Sequence, residues 1–365
     1  MANEKVVWVW VGIIAVALLV ITYGYVALTG NVVSVNTGKV VKIGFMGPLS
    51  GDAASYGESI LKGVELAKRD SGLDVELVVE DSKCDGKEAV NAITKLISVD
   101  RVSAVVGEVC SGATLAAAPI AERNKVVMIS ASSTSPDITN AGEYIFRTVP
   151  SDALQGAFGA DLVYNRGYRR LAILYSNEEY GVGFDKVLKD NFKGEVVASE
   201  AFQRGEVDLR GQLTKIKAKN PDAIYIISNS PDSAVAALQQ IKELGIDAAV
   251  FGSEGLKSDD ILEAGDAAEG LIVTSVSSGS EQFAQRHKEV YGTEPGPFAA
   301  QAYDAFMALA NAIKQGATTG EEIKNALATM SFDGASGRIV FDENGDVSGN
   351  YDVYQVKNGK FVKIS

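Results

Sequence analysis

Short β-branched apolar runs that return about every 25 residues constrain this chain more than any other feature. They fall at residues 40–46, 75–79, 104–107, 126–130, 171–175, 195–198, 224–228, 249–252 and 271–275. Few charges interrupt them, which is the pattern of strands covered on both faces. Between them lie helical spacings: Ile60, Val64 and Ala67; Ala117, Ile120 and Ala121; Ala234, Leu238 and Ile241. Strand and helix in alternation imply right-handed βαβ units and parallel sheets. Nine such strands are more than one sheet comfortably holds, and 365 residues exceed one compact core. Two α/β lobes are expected, with a change of lobe near Ser151. The tail differs: residues 338–341, 351–356 and 361–364 read as strands, and Asn358-Gly359 is a hairpin signal.

Charge and histidine content exclude whole classes of function. The 34 Lys and Arg against 47 Asp and Glu give a net charge of −13. Nucleic acid is a poor partner for such a chain, because neutralising phosphates supplies most of that affinity. The single histidine, His287, excludes any metal site built on two imidazoles. Its setting in an amphipathic stretch predicts a surface position. Nucleophile elbow, phosphate loop, dinucleotide fingerprint and C-x-x-C are all missing. Neither an enzyme, a cofactor nor a metal is expected. The run from Asp342 to Asp346 lacks the spacing of a calcium loop and reads as a polar turn.

The N-terminus sets the address. Residues 6–28 carry no charge over 23 positions. A helix of that length spans a bilayer core of roughly 30 Å. The expectation is an uncleaved transmembrane anchor over residues 1–28, a linker over 29–38, and a body outside the cytoplasm. A long cleaved signal is the rival reading. Cys84 and Cys110 are the only cysteines. Bridged, they would close a loop worth roughly 3–4 kcal/mol; unbridged, they are two buried thiols.

In open parallel sheets ligands bind beyond the carboxyl ends of the strands. The loops there are rich in hydroxyls and poor in nucleophiles and bases. Ser111 stands at a helix start, where free N–H groups and the dipole favour a carboxylate. Thr134 heads another such start. Glu254 can face a cation, and together these describe a receptor for a zwitterion. Tyr56, Tyr180 and Phe298 can wall the rest. Each has an ordinary alternative: helix caps for Ser111 and Thr134, a solvated carboxylate for Glu254, core or surface rings for the aromatics.

From Lys39 to the C-terminus the chain resembles the type I periplasmic binding proteins, in the leucine/isoleucine/valine-binding branch that serves ABC importers. The resemblance is carried by Ile43-Gly-Phe-Met-Gly-Pro-Leu-Ser-Gly51 with Tyr56-Gly57, and by Asp81-Ser-Lys-Cys84-Asp85. Further along come Val106-Gly-Glu-Val-Cys-Ser111, Ser132-Ser-Thr-Ser-Pro136 and Glu179-Tyr-Gly181. Ser253-Glu-Gly255 and Gly296-Pro-Phe298 with Ala302-Tyr-Asp-Ala305 complete the series. Each motif is weak alone; their order and spacing are specific.

The resemblance implies two Rossmann-like lobes joined by three crossovers, with residues 39–150 and 276–337 in one and 151–275 and 338–365 in the other. It implies that Ser111 binds a ligand carboxylate and Ser132 offers its carbonyl to the ammonium. Thr134 would use backbone and hydroxyl, and Glu254 would pair with the ammonium. Tyr56, Tyr180 and Phe298 would contact the side chain, and Cys84 would bridge Cys110. Asn229 departs from the pattern, standing where the branched-chain binders carry a pocket tyrosine. That departure allows a smaller, more polar or differently shaped side chain. The function implied is capture of an α-amino acid by a monomer for an ABC permease. A sensor ectodomain of the same fold, a binder of a non-amino-acid solute such as an amide, and a hydrolase are the alternatives.

Overall fold

The computed structural model describes residues 41–365. The expected transmembrane segment and linker lie outside the described residues. Among the described residues no helix is long and apolar enough to cross a membrane.

The first half alternates as the apolar runs require: β1 (Val41–Gly47), α1 (Ala54–Ser71), β2 (Val75–Asp81), α2 (Gly86–Lys95), β3 (Ala104–Val106), α3 (Ser111–Asn124), β4 (Val127–Ser130) and β5 (Ile145–Arg147). These strands form one parallel sheet in the order β2-β1-β3-β4-β5. The chain continues with α4 (Asp152–Asn165), β6 (Arg170–Ser176), α5 (Glu179–Asn191), β7 (Glu195–Phe202), α6 (Arg210–Lys217), β8 (Ala223–Ile227), α7 (Pro231–Glu243), β9 (Ala249–Gly252) and β10 (Ile272–Val276). It closes with α8 (Glu281–Tyr291), α9 (Ala299–Lys314), α10 (Gly320–Ala328), β11 (Ser331–Asp333), β12 (Arg338–Val340), β13 (Tyr351–Lys357) and β14 (Lys360–Lys363). The second sheet runs β14-β13-β10-β9-β8-β6-β7, parallel except for the last two strands of the chain.

Strand periodicity explains the layering. Along β6, Leu171 and Ile173 enter one buried cluster while Ala172 and Leu174 enter another, so both faces of the sheet are covered. The first sheet is buried in the same way, and Ala302, Ala305, Phe306 and Leu309 of α9 return to its core.

Three connections pass between the sheets: residues 148–151, 277–280 and 348–350. All three border one cavity of about 480 Å³, through Thr148 and Pro150, Ser277, and Ser348 to Asn350. The last lies further along than expected. Ile339, Phe341 and Val347 are buried in the first core, so the chain joins the second sheet only from Tyr351 rather than from Arg338. The turn between Phe341 and Val347 is polar, with Asp342 Oδ1 accepting from the N–H groups of Asn344 and Asp346, each at 2.9 Å.

The surface position expected for His287 is overturned. Its ring is 1% exposed, and Nδ1 lies 2.9 Å from the carbonyl of Thr293. Phe283, His287 and Tyr291 repeat every four residues along α8, so the imidazole is stacked into the apolar stripe of its own helix.

Candidate functional site

Strand ends of both sheets meet at one place. Among the eight side chains nominated from sequence, Tyr56, Ser111, Ser132, Tyr180, Asn229, Glu254 and Phe298 line a single cavity of about 30 Å³. Val109, Cys110 and Gly255 complete its wall. Thr134 stands beside it, 1% exposed, and its hydroxyl donates to Glu254 Oε1 at 3.4 Å.

The first-sheet end of the cavity is the start of α3. Its N-cap position is Cys110, whose side chain makes no capping bond. The N–H groups of the first turn therefore stay available to an anion. Ser111 is the first residue of the helix, and its Oγ accepts from the Ser135 N–H at 3.2 Å. Cys110 is bridged to Cys84, with Cα atoms 5.4 Å apart, which ties this helix start to the loop after β2.

Behind it the hydroxyl-rich loops are tightly woven. Glu108 is fully buried and accepts from the Ser82 hydroxyl and the Cys110 N–H. Burial pushes its carboxyl up to about 7. Ser132 Oγ donates to the Val109 carbonyl at 2.8 Å, and Thr114 Oγ1 meets Ser133 Oγ at 2.7 Å. The helix-start role expected of Thr134 falls instead to Ser135, which caps the short helix Pro136–Asn140 by accepting from Asp137 N–H. That leaves the Thr134 hydroxyl free to turn toward Glu254.

The opposite end of the cavity comes from the second sheet. Glu254 follows β9 and is 3% exposed, so it is no solvated surface carboxylate. Its Oε2 is buried without a partner, and burial raises its carboxyl to about 7. Tyr180 lies in the first turn of α5, and its hydroxyl donates to Ser253 Oγ at 2.7 Å. Burial and the neighbouring Glu254 charge hold that phenol well above its ordinary value.

Sequence reasoning missed Asp152 and Gln155. Asp152 opens α4, is fully buried, and has no partner for either carboxylate oxygen. Burial first, then the Glu254 charge, raise its carboxyl far above the usual range. Gln155 donates to the Thr274 carbonyl at 3.1 Å and to its hydroxyl at 3.2 Å, while its Oε1 is left bare. The signal was faint: Ser151-Asp152 after Pro150 is an ordinary helix start, and only the fold turns it inward.

Contacts across the cleft show the two halves closed on one another. Tyr56 Oη donates to the Gly255 carbonyl at 2.6 Å. Arg204 reaches Asp52 at 3.3 Å and donates to the Cys84 carbonyl at 2.7 Å. The arrangement sets the uncapped helix start of α3 and the buried Glu254 carboxyl on one small cavity.

Residues 40–360 match the family model described as periplasmic binding protein. The chain belongs to the periplasmic binding protein family. This periplasmic binding protein is 31% identical over 331 residues to the leucine-, isoleucine-, valine-, threonine- and alanine-binding protein of Pseudomonas aeruginosa, covering 86% of this chain and 88% of the relative. It is 33% identical to a leucine-binding protein from Thermotoga maritima, with a TM-score of 0.84 over 89% of this chain and 98% of that one. A branched-chain amino acid transporter substrate-binding protein from Streptococcus pneumoniae, solved with isoleucine, is 32% identical. Its TM-score is 0.82, over 89% of this chain and all (100%) of the other. Family membership makes this a solute-binding protein of two α/β lobes, of the class that works outside the cytoplasm.

Proposed function

We propose that this periplasmic binding protein captures an α-amino acid between its lobes and delivers it to an ABC permease, making and breaking no covalent bond. One observation carries the reading: a buried acceptor, Glu254 Oε2, and an uncapped helix start at Ser111 line the same closed cavity. A molecule carrying an ammonium and a carboxylate on one carbon complements both. Opposite unit charges about 4 Å apart attract by roughly 4 kcal/mol at an effective dielectric near 20. Ser111 and the α3 N–H groups would hold the carboxylate. Glu254, the Thr134 hydroxyl and the Ser132 carbonyl would hold the ammonium. Tyr56, Tyr180, Phe298 and Asn229 would surround the side chain. The relatives agree in kind, since the proteins from Pseudomonas aeruginosa and Streptococcus pneumoniae are named for amino acids they bind or were solved with one.

The lobes in this reading are residues 39–150 with 276–347, and 151–275 with 351–365, working as a monomer. Residues 6–28, charge-free over their length, would tether the body to the membrane outside the cell or in the periplasm. Carbonate-resistant sedimentation with membranes checks the tether; release into the soluble fraction contradicts it. A thermal-shift screen against the twenty amino acids tests the function. A true ligand at 100 times its Kd stabilises by about 2.7 kcal/mol, a readable rise in Tm. No shift with any α-amino acid contradicts the proposal.

A further inference from the structure

Asn229 stands two residues past the end of β8, in the loop that leads to α7. The serines around it satisfy one another. Ser228 Oγ donates to the Ser230 carbonyl at 3.0 Å and accepts from the Ser230 N–H at 3.1 Å, while Ser233 Oγ donates to Ser230 Oγ at 3.3 Å. None of them turns to Asn229. Its side chain lines the closed cavity, and its Oδ1 is shut off from solvent with no hydrogen-bond partner among the described residues.

The two tyrosine hydroxyls and the Ser132 hydroxyl of the cavity are committed elsewhere, and the α3 N–H groups with Ser111 face the carboxylate end. The Tyr56 hydroxyl donates to Gly255, Tyr180 to Ser253, and Ser132 to Val109. A buried amide oxygen left unpaired is costly, so a guest that brings a donor to it is favoured. The guest's ammonium has three N–H groups, and Glu254, Thr134 and the Ser132 carbonyl are enough to take them. The remaining donor is one on the side chain. A hydroxyl fits best, because it donates and accepts and so serves either end of a carboxamide.

We propose that Asn229 selects ligands by a side-chain hydroxyl, so that threonine and serine are held in preference to their apolar counterparts valine and alanine. This inference rests on the amino-acid reading above and narrows it. Threonine and valine differ by a hydroxyl in place of a methyl at nearly equal volume, so their ratio isolates the contact. A site built around such a bond penalises the analogue that lacks it by leaving its own polar group unpaired.

The test is titration calorimetry of the full-length protein with threonine, valine, serine and alanine. Threonine should bind on the order of tenfold tighter than valine, and serine should exceed alanine in the same sense. Asn229→Leu should bring the threonine-to-valine ratio to unity or invert it, with Asn229→Ala as the smaller change if the leucine variant melts early. Valine equal to or tighter than threonine on the unaltered protein overturns the inference and leaves the amino-acid reading standing. Binding of none of the twenty amino acids overturns both.

Discussion

The two walls of the cleft treat their polar groups in opposite ways. On the first-sheet side the groups are bound to one another: Glu108 takes Ser82 and Cys110, and Ser130 and Ser133 donate to the Glu108 carbonyl. Arg147, buried completely, donates to the carbonyls of Thr134 and Ser135 at 3.1 and 2.9 Å and makes a two-pronged pair with Asp346 at 2.6 and 2.7 Å. On the second-sheet side, Glu254 Oε2, Asn229 Oδ1, Gln155 Oε1 and both Asp152 oxygens are buried with no partner. Of these, Glu254 Oε2 and Asn229 Oδ1 belong to residues that line the cavity, and both can accept a hydrogen bond. One wall is therefore a rigid, satisfied half that presents backbone N–H groups. The other is an unsatisfied half whose complement is a cluster of N–H or O–H donors. Binding energy would be spent little on ordering the first wall and gained chiefly by completing the second.

If the first wall is held by its own network, removing its keystone should cost the fold before it costs recognition. Arg147→Met leaves Asp346 and the Thr134 and Ser135 carbonyls without their donor. Breaking a buried ion pair from one side costs about 3–5 kcal/mol, so urea unfolding should show a loss of that size. A loss under about 1 kcal/mol would mean the network is not what holds the wall. The second wall should behave the other way. Glu254→Ala should weaken α-amino-acid binding by about 2 kcal/mol or more while leaving the ligand-free protein as stable or more stable, since a buried unpaired carboxyl is lost. Calorimetry that finds unchanged affinity removes Glu254 from the site.

Acidity sharpens the same contrast. Burial disfavours the charge of Glu254 and raises its carboxyl to about 7. An unfolded carboxyl titrates near roughly 4.3, so between that pH and 7 the folded protein holds a proton the unfolded chain has released. Stability of the ligand-free protein therefore falls as pH rises through that window. Ligand binding has the opposite sign, because an ammonium needs the ionised carboxylate. Below pH 7 binding must expel the proton, and affinity should decline by up to about tenfold per pH unit. Calorimetry at pH 7.5 and 6 in two buffers of different ionisation enthalpy measures that proton directly. An affinity independent of pH across this range, with no proton released, would show that the ligand's cationic end lies elsewhere.

The satisfied wall was far easier to read from sequence than the unsatisfied one. The runs at residues 40–46 and 104–107 declare β1 and β3 because burial on both faces leaves no room for alternation. The loops after them were marked as binding loops by position alone. The strand Ile145–Arg147 passed unnoticed, since three residues ending in arginine do not resemble a core strand. That arginine is buried only because Asp346, 199 positions later, arrives to neutralise it. Asp152 was hidden for the same reason: an acidic residue in a first helical turn has an ordinary local explanation. His287 misleads because its immediate neighbours in sequence are charged, while Phe283 and Tyr291, four residues away on either side, place it in the apolar stripe of α8. Local pattern reveals what a strand or helix needs from itself. Pairings over long sequence separations, and groups left bare for a guest, exist only once the chain has folded.

The smallest effect concerns how the walls come together. Tyr56 Oη to the Gly255 carbonyl is a hydrogen bond between residues 199 positions apart, made across the closed cleft and shut off from water. In an open cleft both groups would be hydrated, so the bond favours closure without favouring either lobe alone. Tyr56→Phe keeps the ring against the cavity and removes only the donor. The net worth of such a bond is about 1 kcal/mol, so affinity should fall roughly fivefold, through a closed state that is less favoured rather than through lost ligand contacts. The change should appear in the dissociation rate, with the association rate nearly unaltered. Stopped-flow fluorescence separates the two. A Tyr56→Phe protein that loses association rate instead would place the tyrosine hydroxyl on the path of ligand entry, and the two walls would then be joined by something other than this bond.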